Sequence, residues 1–228
     1  MCHIGHDPVH DQYKVVCKAV RESEEEVGEY MVMSERWVFL LGGDGSTRWK
    51  NISCGSPPHI PLRQVVNING RMHYLALVRL NFVLVSFDII SEEISVRQVP
   101  EDIFWPEIGL AEYGGNIAVL SYPNLENKGV IELWVVEDEE KNMWRSKTLV
   151  LHPSQMHMVN SSRLRVQGTT RNGEVIFAPR DTILFNIFLY DLQKNHMRKI
   201  EIKGTPNRHL TQSCEVLGLD DVDNLIYL

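Results

Sequence analysis

Basic charge is scarce in this sequence. Against 23 lysines and arginines stand 30 aspartates and glutamates, a formal net charge of −7. Nucleic-acid binding relies on a basic footprint that neutralises phosphates, so that class is excluded, and an anionic membrane surface is an equally poor match. Long apolar runs are missing as well. NFVLVSFDII (81–90) and TILFNIFLY (182–190) fall well short of the ~18 residues that a membrane span needs. The opening MCHIGHDPVH holds no apolar core of signal-peptide length, so a cytoplasmic or nuclear location is expected. The four cysteines, Cys2, Cys17, Cys54 and Cys214, show no C-x-x-C spacing. That predicts buried free thiols in a reducing compartment rather than a disulfide framework. Without a secretory signal, the Asn-x-Ser sequons at Asn51 and Asn160 are read as chance. Also missing are helical periodicity, a G-x-S-x-G elbow and any cysteine in a nucleophile signature, so no catalytic residue is assigned.

The chain does hold short apolar runs rich in Val, Ile, Phe and Tyr, bounded by Gly, Asn, Asp and Pro, which is the all-β pattern. These runs repeat. NGRMHYLAL (69–77), GGNIAVLSY (114–122), NGEVIFAPR (172–180) and DNLIYL (223–228) each open with a two-residue turn and continue as an alternating strand. The second turn positions are Gly70, Gly115, Gly173 and Asn224, where tight hairpins demand positive φ. A second unit follows the first three: an apolar strand, an acidic turn and another strand, with Asp88, Asp138 and Asp191 at the turn entries. VQGTTRNGEVIF from Val166 matches VLGLDDVDNLIY from Val216 at an offset of 50. A period near 50 residues with four short strands predicts a β-propeller, because one four-stranded blade cannot bury both of its faces alone. The blades are placed at 13–52, 63–99, 109–150 and 163–202, with a partial blade at 213–228. They form an incomplete, kelch-like array within a single domain, 1–228. The acidic stretch RESEEEVGEY (21–30) is predicted to be a solvated loop interrupting the first blade.

Several residues carry chemistry worth weighing. Cys2, His3, His6 and His10 suit zinc or copper by type, since both metals accept thiolate and imidazole. Their spacing fits no structural zinc pattern, so GHDPVHDQYKVV (5–16) is read as a turn feeding a strand, with no metal expected. VFLLGGDGSTRW (38–49) resembles a kinase phosphate-binding loop, but STRWKNIS continues it as a strand rather than a helix. Asp44-Gly45 is therefore read as a hairpin tip. Asp138, Glu139 and Glu140 are read as solvent-facing turn charges. Trp49 and Trp144, beside Arg48 and Arg145, begin outer strands in two repeats, and this matched placement predicts blade packing. Trp105 and Glu107 sit in a connection between blades, EDIFWPEIGL (101–110). Because tryptophan concentrates binding energy at interfaces, these two are the partner-binding candidates.

Eight segments in order then point to a family: GHDPVHDQYKVVC, RWVFLLG, WKNIS, NINGRMHYLA, SFDIISEEISVRQVP, ELWVVEDEEKNMWRSKTLVL, GEVIFAP and LYDLQKNHMRKIEIKG. Together they resemble the type 3 F-box-associated domain of plant F-box proteins, over nearly the whole chain. GHDPVHDQYKV resembles that family's G-[FY]-D-P-x-x-x-x-Y-K-V segment, with His6 in place of the usual aromatic. The resemblance implies a non-enzymatic target-recognition module of an SCF-type ubiquitin ligase receptor, acting on an unidentified target protein and needing no cofactor. In such receptors a helical F-box ahead of this domain docks on the Skp adaptor. No F-box is read here, so adaptor and cullin are expected as partners only where one is supplied upstream. The chain is expected to be a fragment, a truncated gene product or an F-box-free paralogue. Strands near Tyr13–Val20 and Leu225–Leu228 are expected as open edges that favour self-association. The alternative reading is a small-molecule- or sugar-binding propeller enzyme, which needs convergent polar groups in a central channel.

Overall fold

The computed structural model describes residues 2–24, 30–41, 48–52, 57–79, 81–103, 106–138, 141–160, 163–170, 172–180 and 186–201. They group into two compact units, Met1–Val99 and Pro100–Leu228. Each unit carries two four-stranded antiparallel sheets whose strands pair in chain order. The first unit holds β1 (Cys2–Asp7), β2 (Gln12–Glu24), β3 (Tyr30–Leu41) and β4 (Lys50–Ile52), then β5 (Ile60–Ile68), β6 (Arg71–Val78), β7 (Asn81–Asp88) and β8 (Ile94–Gln98). The second holds β9 (Ile108–Tyr113), β10 (Asn116–Ser121), β11 (Val130–Asp138) and β12 (Met143–Val150), then β13 (Leu164–Thr169), β14 (Val175–Pro179), β15 (Asn186–Asp191) and β16 (His196–Glu201). Two single-turn helices, α1 (Leu125–Lys128) and α2 (Met156–Val159), flank the outer strands of the third sheet.

The chain is thus all-β, and its four sheets follow the predicted repeats. Two boundaries need correction. The first sheet begins at Cys2 rather than at residue 13, because β1 pairs with β2 from Cys2↔Cys17 to Asp7↔Gln12. Tyr13–Val20 is therefore no open edge; β2 is paired on both sides, with β1 and β3. The acidic stretch is not wholly loop either. The β2/β3 ladder runs out to Glu24↔Tyr30, so Arg21–Glu24 and Tyr30 are paired strand. Residues 25–29, the Gly-Gly-Asp-Gly segment and the partial blade at 213–228 lie outside the described residues.

The middle strands explain the stacking. Tyr74, Leu75 and Ala76 of β6, Leu84 and Val85 of β7, and Ile176, Phe177 and Ala178 of β14 are consecutive and buried. Successive strand residues point to opposite faces, so such strands need cover on both sides. In the first unit, Val16 and Val38 of the first sheet pack on Met72, Phe87 and Ile89 of the second. In the second unit, Leu120, Ile131 and Leu133 pack with Val166, Phe177 and Tyr190. Phe177 meets Tyr122 edge-on, with centroids 5.3 Å apart.

The turns are as local as the repeats implied. Asn69-Gly70 has φ of 48° and 75°, and Gly114-Gly115 has 62° and 82°, so both adopt the doubly left-handed hairpin turn. Gly173 has φ 78° and donates its N–H to Thr170 O at 2.9 Å. The aspartate turns show more regularity than the repeat alignment caught. Asp88 Oδ1 accepts the N–H groups of Ile90 and Ser91, and Asp191 Oδ1 those of Gln193 and Lys194. Asp138 Oδ1 accepts from Lys141. Asp7 does the same for Val9 and His10, making a fourth copy in the β1–β2 hairpin. Four residues after each aspartate stands a left-handed residue: Asp11, Glu92, Asn142 and Asn195. The side chain closes the turn, and the left-handed residue returns the chain into register.

The cysteine expectation fails for one pair. Cys2 and Cys17 are cross-strand neighbours joined by a disulfide, and neither is buried. The sequence spacing concealed this, since only the β1/β2 register sets the two side by side. Cys54 and Cys214 lie outside the described residues.

The turn geometry predicts that Gly70→Val and Gly173→Val each cost about 1–2 kcal/mol through the left-handed backbone alone. At Gly70 an added Cβ would also sit 3.0 Å from Pro8 Cδ, whereas at Gly173 nothing lies within 4 Å. Thermal melts should show both variants lowered, Gly70→Val the more; an unchanged melt would disprove the turn requirement.

Candidate functional site

The N-terminal histidines go separate ways. Cys2 is in the disulfide. His3 lines a small internal cavity with Lys18, Arg36 and Phe87. His6 bonds Asp11 at 2.8 Å and stacks on Tyr13, while His10 Nδ1 bonds Asp7 at 2.9 Å. The His10 contact, with the two backbone N–H groups, outweighs burial and holds the Asp7 carboxyl below its usual range. Among the described residues no group of His, Cys, Asp and Glu is placed to hold a metal ion.

Of the paired tryptophans, Trp49 is half exposed just ahead of β4 and touches Phe39, with ring centroids 5.3 Å apart. Trp144 lies on the outer strand β12 and donates to Asn142 Oδ1, a left-handed turn residue. Arg145 beside it pairs with Glu137. Asp138 pairs with Lys141 at 3.0 Å, an exposed turn contact. Trp105 lies outside the described residues.

A buried polar chain crosses the first unit, and sequence reasoning missed it. Lys18, Arg36 and His59 are all buried between the first two sheets. His59 Nδ1 faces Pro57 O at 2.8 Å, which can only accept, so that nitrogen carries the proton. Nε2 then accepts from Tyr74 Oη at 2.9 Å, and Tyr74 in turn accepts from Arg36 at 2.8 Å. Burial, reinforced by the positive charges of Lys18 and Arg36 and opposed by Pro57 O, pushes the His59 pKa down to about 4. The relay needs a neutral imidazole and is structural in character.

Two crevices reach solvent. In the first unit, a volume of about 360 Å³ is bordered by Asp7, His10, Lys14, Arg48, Lys50 and Glu92 over a floor including Val38, Leu40 and Ile90. Lys14 donates to Ile89 O at 2.7 Å and to Glu92 at 3.2 Å, and Lys50 takes the other Glu92 oxygen at 2.6 Å. Burial would raise the Glu92 pKa, but the two ammonium groups lower it overall. The single Glu92 carboxylate is thus shared by two ammonium groups, and Arg48 borders the same crevice.

In the second unit, about 310 Å³ opens where four segments converge: the entries to β9 and β13 and the exits of β10 and β14. Here β9 and β13 approach closely. A Cβ on Gly109 would lie 2.7 Å from Val166, so only glycine fits. Tyr122 and Leu125 are buried in the crevice wall, and Pro106 and Pro123 border it. Tyr122 Oη accepts from Val166 N at 3.2 Å. Arg180 donates from one terminal nitrogen to Pro106 O at 2.9 Å and stands 3.5 Å from Glu107 Oε1. Its Nε is buried without a partner. Glu107, singled out from the sequence by its place in a connection, therefore lines a crevice. Arg180 was not singled out, for no local pattern marks it.

The comparisons with known proteins follow. Residues 1–224 match the family model described as the F-box associated beta propeller domain. Among curated proteins of Arabidopsis thaliana, F-box protein At4g19940 is 62% identical over 100% of this chain and 56% of its own length. F-box/kelch-repeat protein At4g19930 is 52% identical over 100% and 56%, and F-box/LRR-repeat protein At2g40920 is 40% identical over 99% and 55%. The chain spans a little over half the length of these relatives. Among solved structures, a mutant of Synechocystis apocarotenoid oxygenase aligns with 88% of this chain and 49% of its own, at TM-score 0.45 and 12% identity. That likeness is too slight to argue from.

The His59 relay gives a pH signature. The folded-state pKa of about 4 lies below the ordinary 6.5, so below pH 6.5 the unfolded chain takes up a proton that the folded chain refuses. Stability should be full above pH 6.5 and fall toward pH 4, by up to about 3 kcal/mol from this group. Urea melts across that window should show the slope, and His59→Gln should flatten it; equal slopes in both proteins would rule the relay out as its source. The depressed carboxylates Asp7, Asp88, Asp191 and Glu92 act lower, losing their contribution as pH falls below the usual carboxylate range.

Proposed function

Because the chain belongs to the F-box-associated β-propeller family, we propose that it is the target-capturing module of an SCF-type ubiquitin ligase receptor and performs no bond chemistry itself. The observation that carries this reading is the family match over residues 1–224, together with end-to-end alignment on proteins named as F-box proteins. In the full receptor, the F-box engages the Skp adaptor and through it the cullin, while this module holds the protein to be modified. Such work belongs in the cytoplasm or nucleus. The geometry supports a binding role: four rigid sheets present their connecting segments as crevice walls, as binding modules on β scaffolds do.

The test joins the chain to an F-box. Placed behind the F-box of the 62% identical Arabidopsis protein and expressed in plant cells, it should co-purify with the Skp adaptor. It should also lower the abundance of a captured protein in a proteasome-dependent way. The chain alone should bind the same protein without the adaptor and raise its abundance. Adaptor recovered by the chain alone, or captured proteins whose levels ignore both forms, would overturn the reading.

A further inference from the structure

We propose that the crevice of the second unit seats the captured protein, and that Arg180 and Arg163 read a carboxylate there, an aspartate or glutamate side chain on an extended acidic segment of the target. This rests on the target-capture reading and adds to it a place and a chemistry.

A guanidinium offers five N–H donors in a planar fork matched to a carboxylate. Arg180 uses one terminal nitrogen on Pro106 O and also acts on the Tyr122 hydroxyl, which anchors the group in the wall of the crevice. Its Nε is buried and unpartnered, which native structures rarely tolerate without a purpose. Glu107 is the nearest carboxylate, but at 3.5 Å it lies beyond the 2.7–2.9 Å of a strong charge-assisted bond. Arg163, at the exposed rim of the same crevice, makes no side-chain bond or ion pair among the described residues. Two cationic forks therefore border one opening, together with the carboxylates of Glu107 and Glu126, with which an incoming acid would compete. An incoming carboxylate would displace Glu107 from the Arg180 terminal nitrogen and gain Arg163 as a second partner.

The walls suit a polypeptide. Tyr122 and Leu125 form a buried apolar surface, and Pro106 and Pro123 give a rim for the aliphatic parts of residues beside the acid. In the first-unit crevice Lys14 and Lys50 are both held by Glu92, whereas the Arg163 side chain is held by no described residue. Glu107 competes with the proposed ligand for Arg180, a detail that yields a prediction of opposite sign.

The experiment selects a phage-displayed library of random short peptides against the whole chain. Enriched peptides should share an aspartate or glutamate at one position. Changing that acid to its amide, or Arg180 to Gln, should each weaken binding about tenfold or more, and the two changes together should cost little beyond either alone. Because Arg180 also ties down Pro106, two further variants separate recognition from folding. Arg163→Gln should weaken binding several-fold with an unchanged melt. Glu107→Gln should strengthen it, which no merely structural role predicts. Peptides without a common acid, binding indifferent to Arg163→Gln and Glu107→Gln, or no enrichment at all would overturn the proposal. Peptides that bind elsewhere on the chain would remove this site yet leave target capture standing, which the degradation assay tests separately.

Discussion

Apolar side chains on both faces of the middle strands are the constraint from which the rest follows. Leu75 and Tyr74 of β6 are neighbours that point to opposite sides of their sheet, and both are buried. The same holds for Val119 and Leu120 of β10 and for Leu189 and Tyr190 of β15. A sheet built this way cannot stand alone in water. At ~25 cal/mol per Å² of apolar surface, an uncovered face would forfeit most of the stabilisation that its burial contributes. Each sheet therefore packs on another, and the outer strands β8, β12 and β16 carry several exposed residues.

Stacked sheets need hairpins that return the chain in exact register, because a slip of one residue would turn the buried face outward. Two devices supply this. Between the first two strands of the second and third sheets stand two-residue left-handed turns at Asn69-Gly70 and Gly114-Gly115. In four further hairpins Asp7, Asp88, Asp138 and Asp191 close the turn with their own carboxylates, and a left-handed residue four positions later completes it. The disulfide between Cys2 and Cys17 clamps the register of β1 on β2 covalently.

The polar groups inside this apolar frame divide by how completely they are satisfied. Around His59 and Tyr74 the donors and acceptors form a continuous chain from Arg36 to Pro57 O, and the imidazole is held neutral. Such a network orders the core. At Arg180 the chain of contacts stops, with Nε buried and unused beside an open crevice.

The hairpins were legible in the sequence because their chemistry is local. Gly70, Gly173, Asp88, Asp138 and Asp191 each act within about five residues, and their recurrence near 50 residues placed the sheets. The turn at Asp7 was legible too, but that it repeats the other three aspartate turns was hidden because the repeat alignment started after it. The ends of β2 and β3 were hidden because acidic residues read as loop even where a ladder continues. Family membership, too, lay in the ordered motifs. What the sequence could not determine is which distant residues meet. Cys2 finds Cys17 through strand register, Arg36 finds Tyr74 and His59 through the packing of one sheet on another, and Arg180 comes beside Glu107 and Arg163 only because four strand ends converge. These are contacts between residues far apart along the chain, and the free energy that selects them comes from burying whole sheet faces, a property no local segment carries.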